Sequence, residues 1–341
     1  MLKKMQKNRT AGILGLGMYV PEKIVTNQDL EKIVETSDEW ITSRTGMKER
    51  HYVAEDQATS DLAIEAGKRA LENAGVKPEE IDLVIVATTT SNHLCPSTAG
   101  IVQHGIGAVN AGAFDLSAAC SGFVYSTVIA SQMIISGFYK RILIIGAESI
   151  SPFLDPTDRN TLILFGDGAG AVVLGDVPEG EGYISGHLGA DGSGFDNIII
   201  PGGGSWKPFT DHTSENREQY LKMSGSDVFK FAVKMMAETA QKTLEKGNLS
   251  AEQVDLFIPH QANVRIIQAA AKRLQFPEDK VFVNIEKYGN TSAASIPMAL
   301  CEAVEEGRIK EGDLVLLVGF GAGLTWAGCA LRWGKGGRTG C

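Results

Sequence analysis

Hydrophobic and polar residues follow two different spacings along this chain. In residues 62–71 the apolar positions recur with a helical period after Ser60, a good capping residue, and the pattern stops near Gly75. A turn and the apolar run 81–87 follow, and such a run predicts a strand that is buried on both faces. The same order of helix, turn and strand recurs at residues 228–244, 250–253 and 254–258. The pattern therefore predicts one structural unit that occurs twice.

A second pair of segments repeats at nearly the same offset. The apolar run 142–146 is echoed by residues 315–319, and both runs end in glycine. Two repeats at one offset predict an α/β protein of two similar halves, in which helices cover both faces of the strands. Glycine, proline and glutamate cluster at residues 175–185, so we place the boundary there and divide the chain into residues 1–180 and 181–341.

The composition is that of an ordinary globular protein. The chain has 341 residues, of which 43% are hydrophobic and 21% charged, which is enough for a large core in one or two domains. The formal net charge of −9 argues against general nucleic-acid binding but allows a local basic patch. No apolar stretch approaches the length that spans a bilayer, and the basic residues 1–7 are not followed by an apolar segment. We expect a cytoplasmic protein without membrane or nucleic-acid partners.

The cysteines and histidines indicate neither a disulfide framework nor a metal site. The six histidines show no ligand spacing, and there is no Cys-x-x-Cys pair. The odd number of cysteines also argues against a disulfide framework, and the five are Cys95, Cys120, Cys301, Cys329 and Cys341.

Cys120 is the candidate nucleophile. It lies between a predicted strand and a predicted long helix, and its neighbours Ala119, Ser121 and Gly122 are small. Small neighbours leave a sulfur accessible, and the N–H groups at the start of a helix lower the pKa of a thiol, so we expect a reachable and acidified Cys120. A lone cysteine is more often a buried core residue, and the presence of partner residues decides between the two interpretations.

His260 and Asn290 are the candidate partners. His260 follows the predicted strand 254–258, and Asn290 follows the apolar run 281–285, which we also interpret as a strand. Open α/β sheets bind ligands at the carboxyl ends of their strands. Either residue alone is more often structural, but together they predict a site at which Cys120, His260 and Asn290 meet.

These motifs resemble the thiolase superfamily, and specifically the β-ketoacyl-acyl carrier protein synthase III family. The resemblance covers nearly the whole chain. It implies an α/β thiolase-like fold with the two halves in a layered αβαβα architecture. It also implies condensation of an acyl-CoA with malonyl-acyl carrier protein, the step that initiates type II fatty-acid synthesis. The motifs that carry it are residues 37–41, 44–46, 118–123, 165–171, 259–263, 289–297 and 319–326.

The resemblance implies a role for each of the central residues. Cys120 would carry the acyl group as a thioester, and the backbone N–H groups of Cys120 and Ala322 would stabilise the oxyanion. His260 and Asn290 would donate hydrogen bonds to the thioester carbonyl of malonyl-acyl carrier protein. Degradative thiolases need a second cysteine and elongating enzymes use two histidines, so the Asn290 position favours initiation.

The resemblance further implies contacts with both substrates. Coenzyme A would be held by Trp40 and Arg159 around the adenine ring, by Arg44 at a phosphate and by Asn263 at the pantetheine. The acyl carrier protein would dock on Gln261 and on a basic patch of the following helix. This patch consists of Arg265, Lys272 and Arg273, with Lys230 and Lys234 as possible additions.

The family is homodimeric and needs no cofactor beyond the coenzyme A thioester, which is a substrate. Cys95 departs from the family members that start with acetyl groups, which often place a bulky aromatic residue there, across the dimer interface from the acyl pocket. A smaller Cys95 therefore predicts tolerance for branched or longer primers as well as acetyl.

Three alternatives compete with this interpretation. A thiolase-fold synthase or acyltransferase of secondary metabolism would use the same three residues on another acceptor. A non-catalytic acyl-CoA-binding protein of the same fold would be expected to lack Cys, His or Asn, and all three are present. A nucleotide-dependent dehydrogenase is suggested only by Gly12, Gly15 and Gly17, since Val20 stands where the third fingerprint glycine belongs.

Overall fold

The computed structural model of the chain describes residues 9–334, so the basic start at residues 1–7 and Cys341 lie outside it. Its strands are β1 (Thr10–Tyr19), β2 (Lys23–Thr26), β3 (Glu49–Tyr52), β4 (Leu83–Ala87), β5 (Gly112–Leu116), β6 (Arg141–Glu148), β7 (Gly168–Val177), β8 (Gly182–Ala190), β9 (Ile198–Ile199), β10 (Lys222–Met223), β11 (Leu256–Pro259), β12 (Leu314–Gly321) and β13 (Thr325–Arg332).

The helices lie between these strands in a repeating order. They are α1 (Asn27–Glu31), α2 (Asp38–Thr45), α3 (Thr59–Ala74), α4 (Thr98–Gly105), α5 (Gly122–Ile135), α6 (Arg159–Leu162), α7 (Asp211–Glu215), α8 (Gly225–Lys246), α9 (Val264–Leu274), α10 (Ile285–Tyr288) and α11 (Ser295–Glu305). Within residues 9–334, no helix is both long enough and apolar enough to cross a membrane.

The two main sheets have the same topology. In the first sheet the strand order is β1-β7-β6-β4-β5, where β4 runs parallel to β5 and β6 while β7 and β1 are antiparallel to their neighbours. In the second sheet the order is β8-β13-β12-β11, where β11 and β12 are parallel and β13 and β8 antiparallel. Strands β4, β6, β7 and β1 therefore correspond to β11, β12, β13 and β8, and the predicted duplication is confirmed.

Two helices lie between the sheets. Helix α5 contacts β1 and β6 of the first sheet and β8 and β13 of the second, and α11 contacts β1, β7 and β11. Residues on all sides of both helices are buried, as expected for a helix without a solvent face. Helices α3 and α4 cover the outer face of the first sheet, and α8 packs on the outer face of the second beside α9. The layers are therefore helices, sheet, helices, sheet and helices.

The predicted boundary at residues 175–185 falls on the turn between β7 and β8, where the chain passes from the first sheet to the second. The division of the chain into halves at residue 180 itself stays a prediction. The predicted strand at residues 281–285 is wrong. Only Val281 forms an isolated bridge, to Phe257, and helix α10 begins at Ile285, because the chain runs beside β11 for too short a distance to form a ladder.

The glycines at the start of the chain serve packing. Gly15 and Gly17 lie within strand β1, and a Cβ atom at either position would lie 2.4 Å from the backbone of α3. They allow α3 to rest directly on the sheet. A dinucleotide fingerprint needs its glycines in the turn between a strand and a helix, so this arrangement removes the dehydrogenase alternative.

We expect Gly17→Ala to lower the free energy of unfolding by roughly 1–3 kcal/mol, because the added methyl group meets the backbone of Ala66 and Ala70. Chemical denaturation measures the change. Gly192→Ala is the matched control, since a Cβ atom there meets nothing within 4 Å, and it should change the stability by less than about 0.5 kcal/mol. Equal stability of the two variants would contradict the packing role of Gly17.

Candidate active site

Cys120 lies in a tight turn between β5 and α5. Residues Ala119–Ser121 form one turn of 3-10 helix, and α5 begins immediately afterwards at Gly122. Ala119 has a φ angle of 46°, in the left-handed region that residues other than glycine rarely adopt. Such conformations persist where the surrounding structure holds them, often at functional sites.

Strand β12 and the loop after it hold this turn. A Cβ atom at Gly321 would lie 2.6 Å from the backbone nitrogen of Cys120, so only glycine allows β12 this close. The Thr325 hydroxyl donates to the carbonyl oxygens of Ala118 and Ala322, both at 3.0 Å, and accepts a hydrogen bond from Ser121 at 2.9 Å. The backbone around Cys120 is thereby fixed against residues 321–325.

The pKa of the Cys120 thiol differs from the sequence prediction. Burial raises the pKa of Cys120 to about 12, and the nearby charge of Glu148 also acts to raise this pKa. A hydrogen bond from Ser292 favours the thiolate and opposes both effects. We expected an acidified thiol at a helix start. Loss of hydration outweighs the helix start here, because a thiolate loses more solvation than the N–H groups of one turn restore. The free thiol is therefore protonated at neutral pH.

His260 follows β11 and is buried. Its Nδ1 atom lies 2.6 Å from the hydroxyl of Ser295, which also accepts the N–H of Gln261 at 3.4 Å. With the Ser295 hydroxyl donating to Nδ1, the ring proton is on Nε2. Burial lowers the pKa of His260 to about 3, so the ring is neutral. Phe320 packs edge-on against it with 5.3 Å between the ring centres.

Asn290 is oriented by backbone contacts. Its N–H donates to Leu164 at 2.8 Å, its carbonyl oxygen accepts the N–H of Gly166 at 3.1 Å, and its Oδ1 accepts the N–H of Ser292 at 2.9 Å. Since Oδ1 is occupied, the NH2 group is the part of the side chain that can serve a ligand. His260 Nε2 and the Asn290 amide are thus both hydrogen-bond donors.

The three predicted residues meet at one cavity. Cys120, His260 and Asn290 line a mainly apolar cavity of about 380 Å³, together with Ala322 of the predicted oxyanion pair. Apolar side chains of β9, α8 and the segment between α6 and β7 form much of the remaining wall, among them Ile198, Phe229 and Phe165. A buried thiol beside two neutral donors suits the attack on a thioester carbonyl.

A second cavity of about 420 Å³ shares Asn263, Leu164 and Phe229 with the first and is lined by Trp40 and Arg44. The guanidinium groups of Arg44 and Arg159 lie 5.1 and 4.8 Å from the centre of the Trp40 ring. Arg159 therefore already contacts Trp40, and a ring can enter between them only if Arg159 moves. Asn263 caps α9 by accepting the N–H of Arg265 at 2.9 Å.

The predicted carrier-protein patch is exposed, with one exception. Arg265, Lys272 and Arg273 lie on the solvent side of α9, and Lys230 and Lys234 are exposed on the neighbouring α8. Gln261 is only 1% exposed, and its amide binds the carbonyl oxygens of Pro259 and Phe282 and the N–H of Asn284. A docking protein cannot reach it, so the prediction for Gln261 is wrong.

Cys95 is exposed on the loop after β4 and does not line the cavity of its own chain. A contribution to an acyl pocket would have to be made to a partner subunit. Within residues 9–334, no group of three or more His, Cys, Asp and Glu side chains is placed to hold a metal ion.

Sequence reasoning missed the residues that orient this site. Ser295 fixes the tautomer of His260, and Thr325 joins the Cys120 turn to residues 321–325. Glu148 and Ser292 lie beside Cys120. Serine and threonine are common in turns, so nothing local distinguished Ser292, Ser295 or Thr325. The one available signal was Glu148, a carboxylate at the end of the strongly apolar run that forms β6.

Family models match both halves of the chain. The description 3-oxoacyl-[acyl-carrier-protein (ACP)] synthase III applies to residues 114–192, and the description of its C-terminal part applies to residues 244–333. The beta-ketoacyl-[acyl-carrier-protein] synthase III of Caldanaerobacter subterraneus subsp. tengcongensis is 55% identical over 95% of this chain and 98% of its own length. This chain belongs to the 3-oxoacyl-[acyl-carrier-protein] synthase III family.

Other members of the synthase III family agree in sequence and in fold. The protein of the same name from Clostridioides difficile is 56% identical over 96% of this chain and 99% of its own length. The crystal structure of the synthase III from Aquifex aeolicus matches with a TM-score of 0.87 at 48% identity, over 95% of this chain and all of that one. The thiolase-like fold is therefore confirmed, and the chain is a condensing acyltransferase.

The pKa of His260 gives a pH prediction. In the folded chain this pKa is about 3, below its ordinary value of 6.5. Between pH 3 and pH 6.5, His260 is therefore protonated in the unfolded chain but not in the folded chain. We expect the His260 ring to stay neutral from pH 8 to pH 5, while its burial destabilises the fold progressively below about pH 6.5. Histidine NMR, assigned with His260→Gln, measures this. An inflection of the His260 resonance between pH 5 and 8 would contradict the prediction.

Proposed function

We propose that this synthase III family member condenses an acyl-CoA primer with malonyl-acyl carrier protein to give 3-oxoacyl-acyl carrier protein, carbon dioxide and coenzyme A. This reaction initiates type II fatty-acid synthesis. The observation that carries the proposal is the convergence of Cys120, His260 and Asn290 on one apolar cavity in a chain of this family. The reaction requires no cofactor, and the coenzyme A thioester is a substrate.

In the first half-reaction the Cys120 sulfur attacks the thioester carbonyl of the acyl-CoA. The tetrahedral oxyanion is stabilised by the backbone N–H groups of Cys120 and Ala322. Cys120 loses its thiol proton, and coenzyme A gains one and leaves as a free thiol. The position of Ala322 supports this assignment, because Ala322 lines the same cavity as Cys120. The Thr325 hydroxyl, which donates to the carbonyl oxygens of Ala118 and Ala322, holds the two segments together. The product is an acyl-Cys120 thioester.

In the second half-reaction His260 and Asn290 donate hydrogen bonds to the thioester carbonyl of malonyl-acyl carrier protein. They stabilise the enolate that forms as carbon dioxide leaves, and its carbon attacks acyl-Cys120. The neutral His260 with its proton on Nε2 suits this role better than an imidazolium, which would tend to protonate the carbanion. A neutral donor stabilises the charge without supplying a competing proton.

Coenzyme A enters through the outer cavity. Trp40 and Arg159 hold the adenine ring, Arg44 a phosphate and Asn263 the pantetheine. Arg159 leaves the face of Trp40 to admit the ring, and in the free protein it also donates to the carbonyl oxygen of Glu35 at 2.9 Å. One exposed hydrogen bond is a small obstacle to that movement.

The acyl carrier protein docks beside the same entrance. Arg265 lines the outer cavity, and Lys272 and Arg273 continue along α9 on the exposed side. Among the three, within residues 9–334, only Arg273 has an acidic partner, a 3.8 Å pair with Glu238. Lys230 and Lys234 on α8 add two further charges. An acidic partner would meet largely unpaired cations there.

We also propose that the enzyme is a cytoplasmic homodimer. Strand β5 ends its sheet, and in the part of the chain that the structure describes its only neighbour is β4, so its other edge can pair with the β5 strand of a second copy. Cys95 and the 91% exposed Leu94 lie on the loop beside this sheet. In such a dimer Cys95 borders the partner's acyl pocket, where its small side chain admits branched or longer primers.

A synthase of secondary metabolism is the second candidate. The priming beta-ketosynthase from the R1128 polyketide biosynthetic pathway matches this chain with a TM-score of 0.88 at 38% identity, over 97% of this chain and 98% of its own. Relatives named beta-ketoacyl-[acyl-carrier-protein] synthase III reach 55% and 56% identity, so the fatty-acid role is favoured.

Acylation of Cys120 tests the reaction and the primer range together. We expect intact-mass analysis to show one acyl group on the wild type after incubation with acetyl-, isobutyryl- or hexanoyl-CoA, and none on Cys120→Ser. Cys95→Phe is expected to keep acetyl loading and lose most hexanoyl loading, because the larger ring fills the space. An unlabelled wild type would overturn the mechanism, and loading by acetyl-CoA alone would overturn the role of Cys95.

Charge reversal on α9 tests carrier-protein docking. We expect Arg265→Glu to raise the KM for malonyl-acyl carrier protein by about tenfold, equivalent to about 1.4 kcal/mol, while Cys120 is acylated by saturating acyl-CoA at the wild-type rate. Lys242→Glu makes the same change on α8, away from the entrance, and serves as the control. If Arg265→Glu impaired acylation and condensation equally, the docking surface would lie elsewhere.

A further inference from the structure

Helix α11 has two buried side chains that carry oxygen atoms, and they lie on one face. Among the buried residues of α11, which the structure describes in full, only Ser295 and Glu302 have such side chains. They are seven residues apart, which is close to two helical turns, so they share a face. Ser295 contacts Nδ1 of His260 at 2.6 Å, and Glu302 contacts the segment before Asn290. One helix face therefore binds the supports of both proposed donors.

Glu302 accepts hydrogen bonds from three side chains of that segment. Its Oε2 accepts the side-chain N–H of Asn284 at 2.7 Å. Its Oε1 accepts the Tyr288 hydroxyl at 2.8 Å and the Lys287 ammonium group at 3.0 Å. Asn284 directly precedes α10, and Tyr288 is its last residue. Glu302 therefore joins both ends of α10 to α11.

The chain returns from α10 to α11 through a short loop that carries Asn290. Gly289 ends α10 with a φ angle of 64°, and the 3-10 turn Ser292–Ala294 leads directly into α11. Glu302 joins the two helices at the base of this loop. A short loop whose two ends are held has few conformations, so the position of Asn290 relative to α11 is restricted.

Gln261 makes a second link, on the His260 side. It directly follows His260, and its Oε1 accepts the backbone N–H of Asn284 at 3.2 Å. Asn284 is thus bound through its backbone to the neighbour of His260 and through its side chain to Glu302. The segment that leads to Asn290 is therefore joined to the His260 segment both directly and through α11.

The burial of Glu302 indicates that its hydrogen bonds matter for position. The residue is only 8% exposed, and its ion-pair partner in the described part of the chain is Lys287, at 3.0 Å. A buried ion pair is often no more stable than well-packed apolar side chains of similar size. Three hydrogen bonds to one carboxylate do, however, fix the direction as well as the distance of each contact.

We propose that Glu302 is a positioning residue for the condensation step. By joining α10 to α11 it holds the amide of Asn290 beside Nε2 of His260, so that both can donate to the thioester carbonyl of malonyl-acyl carrier protein. This inference rests on the proposed function, since it concerns the second half-reaction. Glu302 lines neither cavity and touches no substrate. Acylation of Cys120 uses neither donor, so it does not depend on Glu302.

The two half-reactions, measured separately, test this role. Rapid mixing with acetyl-CoA and intact-mass analysis give the rate of acylation of Cys120. The acylated enzyme is then mixed with malonyl-acyl carrier protein, and the release of 3-oxoacyl-acyl carrier protein gives the rate of condensation. The free energy of unfolding of each variant is measured by chemical denaturation, so that a general loss of stability is recognised.

Glu302→Gln keeps the shape of the side chain but replaces one acceptor oxygen by an NH2 group. Whichever way this amide turns, at least one of the three donors then faces another donor. We expect condensation to be slower by about tenfold at saturating carrier protein, with its KM within about twofold of the wild type. Acylation of Cys120 should stay within about twofold of the wild-type rate.

The double variant Glu302→Gln/Asn284→Asp exchanges donor and acceptor across one contact. The NH2 group at position 302 then donates to the carboxylate at position 284, while the remaining oxygen still accepts from Tyr288 and Lys287. The net charge of the cluster is restored as well. We expect condensation to recover to within about threefold of the wild type. Glu306→Gln, which removes a charge from the exposed end of the same helix, is the matched control and should leave both rates unchanged.

Three results would overturn the proposal: a wild-type condensation rate in Glu302→Gln, an equal loss of both half-reactions, or no recovery in the double variant. Should Glu302→Gln fail to fold, Tyr288→Phe decides, because it removes one hydrogen bond to Glu302 and should slow condensation alone by about threefold. Wild-type condensation in Tyr288→Phe would then overturn the proposal. Asn290→Ala is measured in parallel. If it condensed at the wild-type rate, the proposed function itself would be refuted, whereas a slow Asn290→Ala beside an unaffected Glu302→Gln refutes the positioning role alone.

Discussion

The contact between the first turns of the two central helices is the constraint on which this active site depends. Helix α5 follows the 3-10 turn Ala119–Ser121 and α11 follows the equivalent turn Ser292–Ala294, and the two turns touch. Each begins with a residue other than glycine in the left-handed region, Ala119 at a φ of 46° and Ser292 at 49°. Because both helices are enclosed between two sheets, neither turn can relax without disturbing the core.

Each turn is also held by the sheet of the opposite half. The Cys120 turn packs on Gly319 and Gly321 of β12, and a Cβ atom at Gly146 of β6 would lie 2.2 Å from the carbonyl oxygen of Ala293. Gly146 and Gly319 are the glycines that end the two repeated apolar runs. The repetition of these glycines has a physical reason. At each of them a strand of one half comes so close to the turn before the central helix of the other half that a side chain would not fit. The position of the Ala119–Ser121 turn against the Ser292–Ala294 turn follows from these two contacts.

Much of this arrangement could be predicted from the sequence, and the failures have identifiable causes. Periodicity located α3, α8, β4, β6, β11 and β12 because long apolar patterns dominate their local environment. It misassigned residues 281–285, where the pattern suits a strand but the partner edge is too short. Residue type and position identified Cys120, His260 and Asn290. Several side chains around them depend on contacts more than a hundred residues apart, such as Ser292 with Glu148 and Thr325 with Ala118. Gln261 was misplaced because it directly precedes the helix that carries the exposed basic patch, while its own amide is enclosed.

The internal symmetry has a consequence for how such a site could have arisen. Two copies of a half-length chain, paired about the axis that relates the two sheets, would already bring their helix-initiating turns face to face. The fold could therefore carry the sulfur on either turn. The two turns differ in only a few side chains, with the thiol of Cys120 on one and the hydroxyl of Ser292 on the other. Fusion of the copies is what allows the two turns to diverge, since a true dimer of identical halves would carry the same residue on both.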